Sequence, residues 1–171
     1  DIRIAFIGNT SPYKGYPLLE EVLVELSTEG KQNWRLSVWG GAKYQHPQYS
    51  GISFRGKYSS AQLESIYNNT DLLIVPSIWK ETFSLITLEA LSYGVPVLVS
   101  STVGAQDIVA QYDKQFIFET REDLKNKLKL ILSTPHLLSE FNRKIMKNTW
   151  EYTQEKHVDE IRLIYEQLIK E

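Results

Sequence analysis

Residues 75–100 read VPSIWKETFSLITLEALSYGVPVLVS. The run DLLIV (71–75) leads into this stretch and VPVLVS (95–100) ends it; both are short and continuously apolar, as strands buried on both faces must be. Between them, Leu85, Ile86, Leu88, Ala90 and Leu91 predict a helix over Phe83–Tyr93, stopped by Gly94 and Pro96. Strand, helix and strand in this order form a right-handed crossover between parallel strands. The same stretch carries two glutamates, Glu81 and Glu89, beside strands that leave little room for charge.

The pattern continues in both directions. Ile2–Ile7 is an apolar strand interrupted only by Arg3. Leu18, Leu19, Val22, Leu23 and Leu26 then repeat at helical spacing up to Gly30. Trp34–Trp39 alternates as a second strand, and Ile52–Phe54 is a short third. Ser59 or Ser60 caps a helix carrying Leu63, Ile66 and Tyr67. Leu72–Val75 is the fourth strand and residues 95–100 the fifth. A helix near Ala105–Ala110 and a sixth strand at Gln115–Phe118 follow. Beyond Thr120 only helices are expected: one through Leu124, Leu128 and Ile131; one through Leu137, Phe141 and Ile145, capped by Ser133 or Thr134; and one from Val158 to Leu168. The expectation is one α/β domain over residues 1–171, a Rossmann-like open parallel sheet of about six strands with helices on both faces. An Asp directly before a buried strand suggests a domain excised from a larger protein.

Composition narrows the function. The net charge of −2 offers no basic stripe for nucleic acid. The absence of cysteine excludes disulfides and thiolate metal sites. No apolar run approaches the roughly 20 residues of a membrane span. No GxGxxG follows the first strand and no acidic residue ends the second, which argues against a dinucleotide oxidoreductase; no GxxxxGK[ST] is present, which excludes a Walker-type ATPase.

Ligands of open parallel sheets bind beyond the carboxyl ends of the strands. Five segments collect there: GNTSPYKG (8–15), WGGAKY (39–44), RGKYS (55–59), PSIWKETFS (76–84) and SSTVGA (100–105). Glycines after strands also serve simply as turn formers. Glu81, just ahead of the helix, is placed to favour the helix dipole whatever else it does. Glu89, among apolar neighbours, needs a partner, and a Lys or Arg would satisfy it.

The stretch ETFSLITLEALSYGVPVLVS resembles the Glu-x7-Glu signature of retaining GT-B glycosyltransferases, in particular glycosyltransferase family 4, also called glycosyl transferases group 1. GNTSPYKG is similar to that family's G-R-x-x-x-x-K-G loop, and RGKYS with DLLIVPS to its later elements, in the same order from Ile4 to about Val109. The resemblance implies the donor-binding half of a two-domain enzyme that takes a UDP- or GDP-sugar. In that reading Lys14 meets the donor diphosphate, as do the backbone N–H groups of Phe83, Ser84 and Leu85. Glu81 accepts hydroxyls of the transferred sugar, and Glu89 takes the two ribose hydroxyls. Lys57 and Tyr58 lie where the base is read, and Gly8 and Gly40 allow close backbone approach. Lys14 and Glu81 are the implied catalytic pair, with no metal and no cofactor.

The sequence departs from the pattern at three places. Asn9 replaces the usual arginine, a contact that Arg55 or Lys80 could supply; Thr82 and Ser84 replace the glycines around Phe83. The implied acceptor is a saccharide or lipid-linked glycan held by the absent N-terminal half, in surface polysaccharide synthesis at the cytoplasm or the cytoplasmic membrane face. Membrane contact is expected only through that half. A non-catalytic scaffold, or another GT-B enzyme such as a nucleotide-sugar epimerase, shares these motifs. His46, His136 and His157 read as surface residues away from metal spacing, and the charged run Arg121–Lys129 as a solvated helix face.

Overall fold

Ile2–Ile7 (β1) is the centre of the sheet because five of its six residues are buried. The exception, Arg3, ends in a two-pronged ion pair with Asp71, its Nη2 2.6 Å from Oδ1 and its Nε 3.0 Å from Oδ2. A computed structural model of the chain describes residues 1–148 and 154–169. Seven strands stand in the order β3–β4–β2–β1–β5–β6–β7. They are β1, β2 (Trp34–Trp39), β3 (Lys43–Gln45), β4 (Ile52–Gly56), β5 (Leu72–Val75), β6 (Val97–Ser100) and β7 (Ile117–Phe118). All neighbours are parallel except β3, which runs antiparallel to β4 at the edge.

The helices are α1 (Tyr16–Thr28), α2 (Leu63–Asn68), α3 (Leu85–Ser92), α4 (Gln106–Tyr112), α5 (Arg121–Ser133), α6 (His136–Lys147) and α7 (Gln154–Ile169). Helix α1 buries Tyr16, Leu19, Val22, Leu23 and Leu26, one stripe at helical spacing. It packs against α5, while the rightward crossovers through α2, α3 and α4 lie on the opposite face. The two layers close one hydrophobic core around β1, β2, β5 and β6. Fully burying one of its larger side chains is worth about 1.5–3 kcal/mol.

The sheet has one strand more than the six expected, and three expectations need correction. Between β2 and β4, β3 and a loop fold back along the edge, and Tyr44 stacks on Phe54 at 4.0 Å. His46 is therefore not a free surface residue. Its side chain is only 9% exposed, its Nδ1 accepts the amides of Gln48 and Tyr49 at 3.2 and 3.0 Å, and its Nε2 lies 3.3 Å from Glu20. His136 and His157 are exposed as expected. The run Arg121–Lys129 is solvated only in part: Arg121, Glu122 and Lys129 are exposed, but Lys125 is not. Arg121, Lys125 and Lys129 reach Glu25 of α1 and Glu29 just beyond its end at 2.6–2.8 Å, and Lys125 is 14% exposed. Finally, α6 begins after Pro135 with no side-chain cap, whereas α5 is capped by the Thr120 hydroxyl, which accepts from the Asp123 amide.

Candidate functional site

The first loop of the site follows β1. Asn9 Oδ1 accepts the amide and hydroxyl of Ser11, and the chain then makes one tight 3-10 turn, Pro12–Lys14, closed by the Gly15 amide on Pro12 O at 2.9 Å. Gly15 has φ +76°, and a Cβ there would fall 1.7 Å from the carbonyl oxygen of Pro76. Only glycine lets this loop lie directly on the loop after β5. The contact continues outward, since Tyr13 O accepts the amides of Ile78 and Trp79 at 3.0 and 3.4 Å.

Those contacts bring Lys14 to Glu81. Nζ lies 2.7 Å from Oε1, with the two side chains 35% and 16% exposed. The buried Ser77 hydroxyl donates to the same Oε1. Among the described residues, nothing donates to Oε2 of Glu81, so one carboxylate oxygen stays available. The backbone of Glu81 is fixed too: its amide donates to Thr102 O at 3.1 Å and its carbonyl accepts from Gly104 at 2.9 Å. The Thr102 hydroxyl donates to Ser77 O at 2.6 Å. The loop after β6 thus braces the loop after β5.

Helix α3 begins at Leu85, two residues later than the sequence suggests. Ser84 is extended, with φ −143° and ψ 98°, and its hydroxyl accepts from Thr87 rather than capping the helix. Among the described residues, no protein group accepts from the amides of Phe83, Ser84, Leu85 or Ile86. Four consecutive N–H groups at the positive end of a helix, beside a lysine, suit an anion.

Across from them, Gly8 donates to Trp39 O at 2.9 Å, and Gly40, with φ +111°, lies so close that a Cβ would sit 2.7 Å from Gly8 O. A cleft of about 520 Å³ opens between these parts. Gly8, Asn9, Lys14, Gly40, Tyr58, Glu81, Phe83, Ser84 and Leu85 line it, together with Ser77 and Ile86. Lys57 and Thr82 are exposed and outside that lining.

Glu89 is also outside it, and the reading of a helix buried on most sides fails. Leu85 is 70% exposed, and Ile86, Leu88 and Glu89 are each half-buried. Glu89 Oε2 accepts from the Tyr67 hydroxyl at 3.1 Å, with no Lys or Arg partner among the described residues. Burial first, and the Glu89 carboxylate second, push the phenols of Tyr67 and Tyr58 upward, so both stay protonated. Tyr58 is the link between Glu89 and the cleft. Arg55 lies in a separate groove with Arg3 and Arg35, so it does not replace the arginine absent at position 9; Lys80 is exposed.

Ser77, Thr102 and Gly104 carry no functional signal of their own in the sequence, although all three sit in segments visible as strand ends. Their work is done through backbone and hydroxyl contacts across 25 or so positions, which periodicity cannot register. No cluster of three or more His, Asp or Glu able to hold a metal occurs among the described residues. No helix there is long and apolar enough to cross a membrane.

An open α/β sheet with a glycine-lined cleft at the carboxyl ends of its strands is the architecture of GT-B glycosyltransferase domains. Sucrose-phosphate synthase from Thermosynechococcus elongatus matches with a TM-score of 0.71 at 20% identity, over 99% of this chain and 46% of that one. The Anabaena protein HepE, solved with UDP and glucose, matches with a TM-score of 0.69 at 17% identity, over 85% and 42%. Residues 1–150 match the profile of glycosyl transferases group 1, and the chain belongs to that family. In sequence it is similar to D-inositol 3-phosphate glycosyltransferase of Corynebacterium glutamicum, 27% identical over 122 residues, covering 63% of this chain and 29% of the relative. The chain spans about 30% of the length of the first curated relatives it matches.

Proposed function

We propose that this chain is the donor-binding domain of a retaining glycosyltransferase of family 4. It takes a hexose-type sugar from a UDP- or GDP-sugar and passes it to a saccharide or lipid-linked acceptor in surface polysaccharide synthesis. The observation that carries the reading is the Lys14–Glu81 pair at 2.7 Å, set in a cleft beneath four unpartnered amides. That arrangement supplies a cation and aligned N–H dipoles for a diphosphate, next to a carboxylate oxygen free to accept sugar hydroxyls.

The chemistry follows from the charges. Transfer breaks the bond between the anomeric carbon and a diphosphate oxygen and forms one to an acceptor oxygen. Negative charge grows on the departing diphosphate. Lys14 and the amides of Phe83–Ile86 stabilise it without reorganising, which lowers the barrier electrostatically. Lys14 has three N–H donors, so it can bridge Glu81 and a phosphate at once. Glu81, held by Ser77 and by the Thr102–Gly104 loop, fixes the sugar relative to that bond. Tyr58 and Glu89 face the nucleoside. The acceptor and any base that deprotonates it belong to a second domain opposite the cleft.

Thermal or urea titration with UDP and GDP tests this reading. The bound nucleotide at a hundred times its Kd adds about 2.7 kcal/mol of stability. Lys14→Met weakens diphosphate binding about tenfold or more, the cost of removing a charge-assisted contact. The scaffold reading draws on Asn9, whose side chain is engaged within its own loop rather than offering a second cation. Measuring transfer by full-length protein and its Glu81→Ala variant decides between them. A competent parent and a dead variant support the enzyme, and a parent that binds donor but never turns over supports the scaffold.

A further inference from the structure

Arg55 stands in a second groove, apart from the donor cleft. This groove, of about 420 Å³, runs between α2 and the outer strands. It follows from the period of the strands. β2 and β4 bury Leu36, Val38 and Phe54 on the face of α1, where Tyr16 meets Phe54 at 5.6 Å. Alternation then puts Arg35, Ser37 and Arg55 on the other face. The helix beside them there is α2, whose six residues make less than two turns and leave these strands open.

The floor of the groove is basic. Arg3, Arg35 and Arg55 line it, and among the described residues no Asp or Glu does. Arg3 is fully engaged: its Nε and Nη2 bond to Asp71, and its Nη1 donates to Asn68 O at 3.3 Å. Arg35 shares its Nε with Asp1 at 3.0 Å. Arg55 has no carboxylate partner among the described residues. Its Nε donates to Ser37 Oγ at 3.4 Å, which holds the guanidinium over the strands and leaves both terminal NH2 groups uncommitted there. Opposite, on the side of α2, Gln62 Oε1 accepts from the Ser59 amide at 3.0 Å, so its NH2 end remains a donor; the Ser65 hydroxyl is another.

The chain as a whole carries a net charge of −2, so this concentration of cations is local. The planar fork of an arginine matches two oxygens of one phosphate, and neighbouring guanidinium groups add to its attraction for a dianion. A recess of this volume suits a small molecule. Binding to an anionic lipid surface instead takes roughly 4–8 clustered basic residues. We infer that the groove binds a small phosphate monoester, with the Arg55 fork on the phosphate. Trp39 separates this site from the cleft: its indole lines the groove and meets Tyr58, which lines the cleft, edge-on at 6.3 Å. Nothing in this site depends on the donor reading of the cleft.

Backbone amide NMR of the 171-residue chain tests the site, since the two recesses have separate reporters. Signals of Gln62, Ser65 and Asn69 follow the groove, and those of Phe83–Ile86 follow the cleft. Titration with inorganic phosphate or ribose 5-phosphate, at constant ionic strength, is expected to move the groove signals. It should do so equally in Lys14→Met, whose cleft has lost its cation. Arg55→Gln should weaken that response about tenfold, and Arg55→Lys, which keeps the charge and loses the fork, about threefold. Arg55→Gln should leave the response of Phe83–Ile86 to UDP unchanged. Groove signals that respond equally with and without Arg55 overturn the site. Phosphate shifts confined to Phe83–Ile86 overturn it and spare the donor reading. Groove signals that move only with phosphatidylglycerol vesicles overturn it in favour of a membrane contact. Groove signals that follow phosphate through Arg55 while Phe83–Ile86 ignore UDP uphold the site and remove the donor reading.

Discussion

Gly15 shows how one missing side chain holds the site together. Any Cβ at that position points into the Pro76 carbonyl at 1.7 Å, and the backbone is left-handed. Gly15→Ala must therefore pull the Lys14 turn away from the loop after β5. It is expected to cost about 2 kcal/mol or more, read as a lower urea midpoint at unchanged slope. Tyr67→Phe is a gentler probe. It removes the one donor to the Glu89 carboxylate among the described residues, at about 1 kcal/mol, and is expected to lower nucleoside affinity if that carboxylate turns toward the ribose. At this scale the sequence revealed which residues mattered better than how they met. Glu81 and Lys14 both stood out, yet 67 positions separate them and no local pattern announces an ion pair over that distance. Glu89 was expected to need a partner, and among the described residues the Tyr67 phenol is one.

Among the elements, α1 and α5 are joined by Glu25 and Glu29 facing Arg121, Lys125 and Lys129. Lys125 and then Lys129 hold Glu29 down from its ordinary 4.5 to about 2, and Lys125 with Arg121 lowers Glu25 as well. A carboxylate whose folded value is depressed stabilises the fold above its unfolded value and loses that contribution as it protonates. Stability should therefore fall as pH drops from about 4.5 to about 2, and Lys125→Met should make that fall shallower in acid denaturation followed by circular dichroism. The main strands and helices were legible because their apolar periods are strong. Three misreadings have physical causes. The apolar run around Leu85 continues beyond the helix, so its start was placed at Phe83. Lys43–Gln45 has three exposed residues and therefore no alternation to detect. The charges of α5 look solvated until the facing stripe on α1 is known.

At the scale of the molecule, the chain spans about 30% of the length of its first curated relatives. The 171-residue chain alone is expected to bind UDP or GDP weakly and to transfer no sugar, checked by donor-dependent labelling of acceptor with and without the full-length protein. Measurable transfer by the chain alone would overturn the proposed division of labour. The architecture itself was foreseeable, because alternating buried strands and amphipathic helices admit few topologies. What could not be foreseen was how the β2–β4 side of the sheet would end.

That ending has a consequence for solubility. Without β3, the five-residue β4 would present a parallel edge of unpaired amides and carbonyls, a template on which another chain could polymerise. Three residues, Lys43, Tyr44 and Gln45, cover it in the opposite direction, and they bring a lysine to the new outer edge. A strand so short and polar offers little for an incoming strand to extend. Replacing residues 41–50 with a short glycine–serine link should leave β1, β2, β5 and β6 intact while light scattering and thioflavin binding rise with time. The hairpin would then be a guard against fibres rather than a part of the cleft.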